Sequence, residues 1–196
     1  MLFRSLNNEA IAIGTYAQEN GNGYAAVALG AYAGQSNQSN YSVAIGYDAG
    51  NDGLGYRSVA IGQAAAYDGS NSYTVALGYE AGRGTPSEGA ISIGYSAGWS
   101  ANNYSVAIGH DASWDDGTRL GDYQVAIGAY AAAGDGYNNS IVLNATGSYF
   151  DATASGLFIK PVRYTATQDA TDDGLMFYNQ TTGEVRYSYT LDGGSF

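Results

Sequence analysis

The chain has 196 residues, 45% of them apolar, with 29 Gly, 19 Tyr, no Cys and only 13% charged residues. That apolar share argues against wholesale disorder, and the absence of cysteine removes disulfide frameworks, thiolate metal sites and thiol nucleophiles. Eighteen acids against seven bases give a net charge of −11, the wrong sign for gripping phosphate backbones or anionic lipid, so no nucleic acid partner and no membrane insertion are expected.

Residues 1–9 read as a lead-in without an apolar run of signal-peptide length, and nowhere do roughly eighteen apolar residues follow one another. From residue 10 to residue 147 a short string recurs, as in Val43-Ala44-Ile45-Gly46, Val59-Ala60-Ile61-Gly62 and Val106-Ala107-Ile108-Gly109. The repeat glycines are Gly14, Gly30, Gly46, Gly62, Gly78, Gly94, Gly109 and Gly128, spaced by 16 residues except for final steps of 15 and 19. A degenerate further copy is Ser140-Ile141-Val142-Leu143-Asn144, and three residues after each glycine stands an alanine, Ala17 through Ala131. Fixed-period self-similarity marks an array architecture.

Within each copy, bulky residues alternate with Ala or Ser, the period-2 signal of a strand, and the following Gly suits a corner that needs φ > 0 or close backbone approach. Sixteen residues are too few for a helix-containing repeat but enough for one coil of short strands and turns. Coils of this kind stack as parallel strands about 4.8 Å apart, giving an all-β solenoid of about nine coils and roughly 40 Å. The pattern places the Val/Ile/Leu ladder inside the coil. It leaves the small face, with Ser42, Ala44, Ser58 and Ala60, outside as a surface for close self-association.

The strings Ser42-Val43-Ala44-Ile45-Gly46, Ser58-Val59-Ala60-Ile61-Gly62 and Ser105-Val106-Ala107-Ile108-Gly109 closely resemble the head repeats of YadA-like trimeric autotransporter adhesins, over roughly residues 8 to 147. The resemblance implies a left-handed parallel β-roll and a homotrimer about one axis. The unit is longer than the family's, and no heptad stalk or outer-membrane strands accompany it. Residues 148–196 resemble the ends of phage and large-virus fibre proteins, in Gly156-Leu157-Phe158-Ile159-Lys160-Pro161-Val162-Arg163 and in Leu175 to Tyr187. By their own pattern, Leu175 to Tyr178 and Glu184 to Tyr189 form a small C-terminal β-hairpin around a turn-forming segment, with Leu157 to Val162 as an extended lead-in. This segment reads as a cap over the open solenoid end and a trimerisation module.

Candidate chemistry is sparse. His110, the one histidine, follows a repeat glycine where other coils carry Tyr47, Tyr79 or Tyr95, and reads as an ordinary surface residue. A Ser-His-Asp arrangement would have to use it, and acid pairs such as Asp115-Asp116 belong to solvated turns, so no catalytic residue is assigned and no enzyme is expected. No metal site and no cofactor are assigned either. Turns such as Asn51-Asp52-Gly53 offer oxygen ligands that can hold Ca²⁺, but they match no known loop spacing.

The candidate for recognition is a break in the repetition. Five residues after successive glycines stand Tyr67, Arg83, Trp99 and Trp114, which stacking aligns in one row, with Arg83 placed for a cation–π contact on Trp99. The long 19-residue step adds Arg119 beside Trp114. Rows of this kind stack on sugar rings, or stabilise a solenoid with no ligand at all. The sequence therefore points to a non-enzymatic trimeric fibre or spike for surface display and glycan or receptor attachment, on a virion or an extracellular surface. The alternatives are a purely structural filament, capsid-decoration or assembly protein, and a bacterial adhesin head fragment.

Overall fold

A computed structural model describes residues 3–5, 9–21, 23–99, 101–114, 121–134, 137–162, 175–178, 183 and 185–188. The chain divides into two compact units, Met1–Pro161 and Val162–Phe196. The first opens with β1 (Phe3–Ser5), which lies antiparallel on β2 (Ile11–Ile13). There follow β3 (Val27–Leu29), β4 (Val43–Ile45), β5 (Val59–Ile61), β6 (Val75–Leu77), β7 (Ile91–Ile93), β8 (Val106–Ile108) and β9 (Val125–Ile127). They end with β10 (Ser140–Asn144) and β11 (Gly156–Lys160), and β2 through β11 pair in sequence order as one parallel sheet. The unit is thus a β-solenoid. In the second unit β12 (Leu175–Tyr178) pairs antiparallel with β13 (Val185–Ser188).

Register is exact from coil to coil: Val43 faces Val59, Ala44 faces Ala60 and Ile45 faces Ile61. Each coil donates to the next from the start of its strand and to the previous from the glycine at its end, as in Val59 N–H to Thr74 O at 2.9 Å and Gly62 N–H to Ile45 O at 2.8 Å. The glycine at the strand end is obligatory for two reasons. Gly62 sits at φ 133°, and a Cβ there would fall on the carbonyl oxygen of Gly78 in the adjacent coil. The same holds along the stack, Gly46 against Gly62 and Gly78 against Gly94.

The sidedness of the strands is the reverse of the sequence expectation. Ala28, Ala44, Ala60, Ala76, Ser92, Ala107 and Ala126, the central residues of β3 through β9, are buried inside the coil. The alanines three residues after each glycine and the Ser42, Ser58, Thr74 and Ser105 side chains fill the rest. The flanking Val, Ile and Leu point outward, and Ile11, Ile61 and Ile127 are 50%, 39% and 41% exposed. The reason is volume: at the level of the strands a sixteen-residue coil closed by tight corners has room for methyls and hydroxyls, and the larger buried side chains, such as Leu54, Gln18 and Pro86, come from residues outside the strands. Buried hydroxyls before the strands are satisfied locally, Ser42 Oγ donating to Ser39 O at 2.6 Å and Ser105 Oγ to Asn102 O at 2.7 Å, whereas Ser92 Oγ, at a strand centre, has no partner among the described residues.

In the last coils a bulky strand residue enters the interior. There Val142 is buried with Ala126, Ala131, Ala132 and Ala152, and Phe150 and Phe158 pack against them. Strand β11, in the segment expected to be a lead-in, adds this apolar plug as a further parallel rung, Val142 opposite Phe158. Among the described residues no helix is long and apolar enough to cross a membrane.

Candidate ligand-binding site

Coils in register turn equivalent residues into rows. In the coils of Gly78, Gly94 and Gly109, the first residue after the glycine is Tyr79, Tyr95 or His110, the second Glu80, Ser96 or Asp111, and the fifth Arg83, Trp99 or Trp114. The second position is left-handed in each, with φ 52° at Glu80, 48° at Ser96 and 50° at Asp111. Since Ala64 occupies it at 55° in the coil before, the conformation belongs to the corner and not to the acids.

The first row is an aromatic stack. Tyr79 and Tyr95 lie 5.1 Å apart at 14°, and Tyr95 and His110 4.8 Å apart at 8°. Tyr130 and Tyr149 extend it, at 5.3 Å from His110 and 5.1 Å from Tyr130 respectively. In the fifth-position row three of the four residues meet. The Arg83 guanidinium lies 5.6 Å from the Tyr67 ring centroid and 5.0 Å from that of Trp99, a cation held between two rings.

Between the two rows is a pocket of about 310 Å³. Tyr95, Trp99, Trp114 and Tyr149 wall it, and Glu80, Ser96 and Asp111 line its base. Both carboxylates are only partly solvated and already have partners: Arg83 Nη1 donates to Glu80 Oε1, and His110 Nδ1 lies 3.0 Å from Asp111 Oδ2. The Glu80 charge, with a smaller contribution from desolvation, raises the pKa of the Tyr79 phenol. What faces the pocket is a set of aromatic rings and hydrogen-bond acceptors.

Of the residues singled out from sequence, Tyr67, Arg83 and Trp99 meet in one row, and Trp114 joins Trp99 across the pocket. Arg119 lies outside the described residues. His110, expected to be an ordinary surface position, is a rung of the tyrosine stack. Sequence reasoning missed Tyr95, Tyr149, Glu80, Ser96 and Asp111, although tyrosines directly after the repeat glycine were a visible signal for the first row.

A second tyrosine row was also missed. Tyr24, Tyr41, Tyr56 and Tyr73 follow one another at 5.5 to 5.9 Å edge to face, with Arg57 over the rings of Tyr41 and Tyr56. The Tyr24 hydroxyl donates to Glu9 Oε2 at 2.7 Å, and this bond, with the Glu9 charge, raises its pKa. These rings engage one another edge to face, which stiffens the solenoid. Among the described residues no three His, Asp or Glu side chains gather as a metal cluster. The turn at Asn51 closes on itself, Asn51 Nδ2 donating to Asp48 Oδ1 at 2.9 Å.

Comparison with protein-family models, with curated proteins and with solved structures gives no match.

Proposed function

We propose that this chain is a non-enzymatic structural protein. Its solenoid associates with copies of itself into a stiff fibre or spike on a virion or extracellular surface, presenting the aromatic pocket for attachment to a glycan or receptor. The observation that carries the reading is the outward Val/Ile/Leu ladder. It runs in register from Ile11 and Ile13 to Ile141 and Leu143 and continues onto Leu157 and Ile159 of β11. A regular apolar stripe of this length is a partner-binding surface on a soluble protein. The partner must offer apolar residues at the same sixteen-residue, one-coil spacing, and a second copy of this chain has that spacing by construction.

The resemblance to adhesin heads supports three copies about one axis, with the bulky ladder at the centre rather than the small face the sequence suggested. Threefold display multiplies weak single-site contacts into firm attachment when receptors lie within reach. The β12–β13 pair in the second unit suits a cap or clasp for such an assembly. The test is the mass of the intact chain in solution by sedimentation equilibrium. A species near three times 20.3 kDa supports the reading. A soluble monomer at all concentrations overturns it. An assembly that contacts no cell surface or glycan is the purely structural filament instead.

A further inference from the structure

We propose that the pocket between the Tyr95 and Trp99 rows is a binding site for one or two pyranose rings of an uncharged saccharide, and that it rejects sialylated and uronic sugars. The inference rests on the attachment reading above and narrows it to a ligand class. Three observations carry it. The walls are rings, Tyr95, Trp99, Trp114 and Tyr149, whose apolar faces suit the C–H faces of a sugar. The base supplies Glu80 and Asp111 carboxylates and the Ser96 hydroxyl, a set dominated by acceptors and matched to sugar hydroxyl donors. The volume, about 310 Å³, lies at the small end of ligand sites, which run from about 300 to 1,000 Å³.

Charge decides between ligand classes. Among the described residues the cation beside the pocket is Arg83, whose Nη1 is paired with Glu80 and whose guanidinium lies over the Tyr67 and Trp99 rings, so its charge is already engaged. An anionic sugar would meet Asp111 on a chain of net charge −11. A quaternary ammonium is a weaker candidate, because both carboxylates already have Arg83 or His110 as neighbours and do not form an open anionic cage.

The site has its own reporter: the chain's two tryptophans are both in the pocket wall. The experiment is a titration of the intact protein followed by tryptophan emission. The probes are neutral gluco-, manno-, galacto- and N-acetylglucosamine oligosaccharides, then sialyllactose, oligogalacturonate and choline. A saturable emission change with at least one neutral series, and none with the anionic ones, is expected. Trp114→Ala and Trp99→Phe should each weaken that response by about tenfold while the far-ultraviolet circular dichroism is unchanged. Asp111→Asn removes an acceptor as well as a charge, so it should weaken the neutral response and admit the sialylated probe, a change of preference that loss of packing alone would not produce.

Saturable binding of the anionic probes to the unmodified protein, or of choline in preference to every neutral sugar, overturns the ligand class while leaving an attachment site in place. No saturable response to any probe, in a protein whose mass shows assembly, overturns the pocket as a saccharide site and leaves the self-associating rod standing.

Discussion

Enlarging the coil interior should be far more damaging than trimming the outward ladder. Ala60 is fully buried, in register between Ala44 and Ala76, with Ala65 also buried in the same coil. Ala60→Leu adds three carbons between the Ala44 and Ala76 methyls that face it in register from strands about 4.8 Å away. Overpacking costs about 1–3 kcal/mol, and full burial between two alanines in register puts this site toward about 3 kcal/mol. Ile61, beside it, is 39% exposed, so Ile61→Ala in a single chain forfeits only part of the transfer energy of a full side chain, about 1–2 kcal/mol. If the bulky face were the inner one, the order would invert: Ala60→Leu would be a surface change within about 0.5 kcal/mol, and Ile61→Ala would cost about 2–5 kcal/mol. Urea unfolding followed by far-ultraviolet circular dichroism, extrapolated to low protein concentration so that association does not contribute, separates the two. An Ala60→Leu protein as stable as the parent alongside a severely weakened Ile61→Ala protein would refute the inside-out packing.

Gly62→Ala should cost at least about 3 kcal/mol, since it combines φ 133° with a collision against the Gly78 carbonyl. Gly147→Ala, at φ 69° with open space around it, should cost only the left-handed backbone penalty of about 1–2 kcal/mol, and thermal unfolding of the pair checks both. Arg83→Ala should shift tryptophan emission and lower stability by about 0.5–1 kcal/mol, because it strips the cation from the half-exposed face of Trp99. Alkaline titration of tyrosine absorbance should show a late-ionising group, because Tyr24 is held protonated by its bond to Glu9, Tyr47 by the Asp48 charge and Tyr79 by the Glu80 charge. A raised phenol pKa means the folded state binds the proton more tightly. The associated stability is complete below the ordinary value near 10.0 and is lost as pH rises through the folded values. Glu9→Gln should move the Tyr24 component back toward that ordinary value.

The period, the strand positions and the corner glycines were all legible in the sequence, because each is a local demand repeated in every coil. Val43-Ala44-Ile45-Gly46 states a strand and a corner by itself. Which strand face is inner was not legible, since alternation defines two faces without naming the inner one. The usual preference for burying bulk fails where Ala44, Ala60 and Ala65 already fill the available width. The fifth-position row of Tyr67, Arg83 and Trp99 could be read off because one spacing generates it. The pocket could not, because it combines the first, second and fifth positions of three coils with Tyr149 from a later one. Only the stacking register shows that those positions converge.

The measurement that bears most directly on the account uses the absence of cysteine from the chain. Val59→Cys, Ile61→Cys and Ala60→Cys proteins are oxidised at working concentration and run on a denaturing, non-reducing gel, with a thiol-reactive label as the parallel readout. The account predicts disulfide-linked pairs of chains for Val59→Cys and Ile61→Cys, whose side chains lie on the outward ladder that the proposed association would bury between copies. It predicts an unlinked, poorly labelled Ala60→Cys, shut inside its own coil. Linked chains from Ala60→Cys, or fully labelled single chains from both ladder variants, would contradict it.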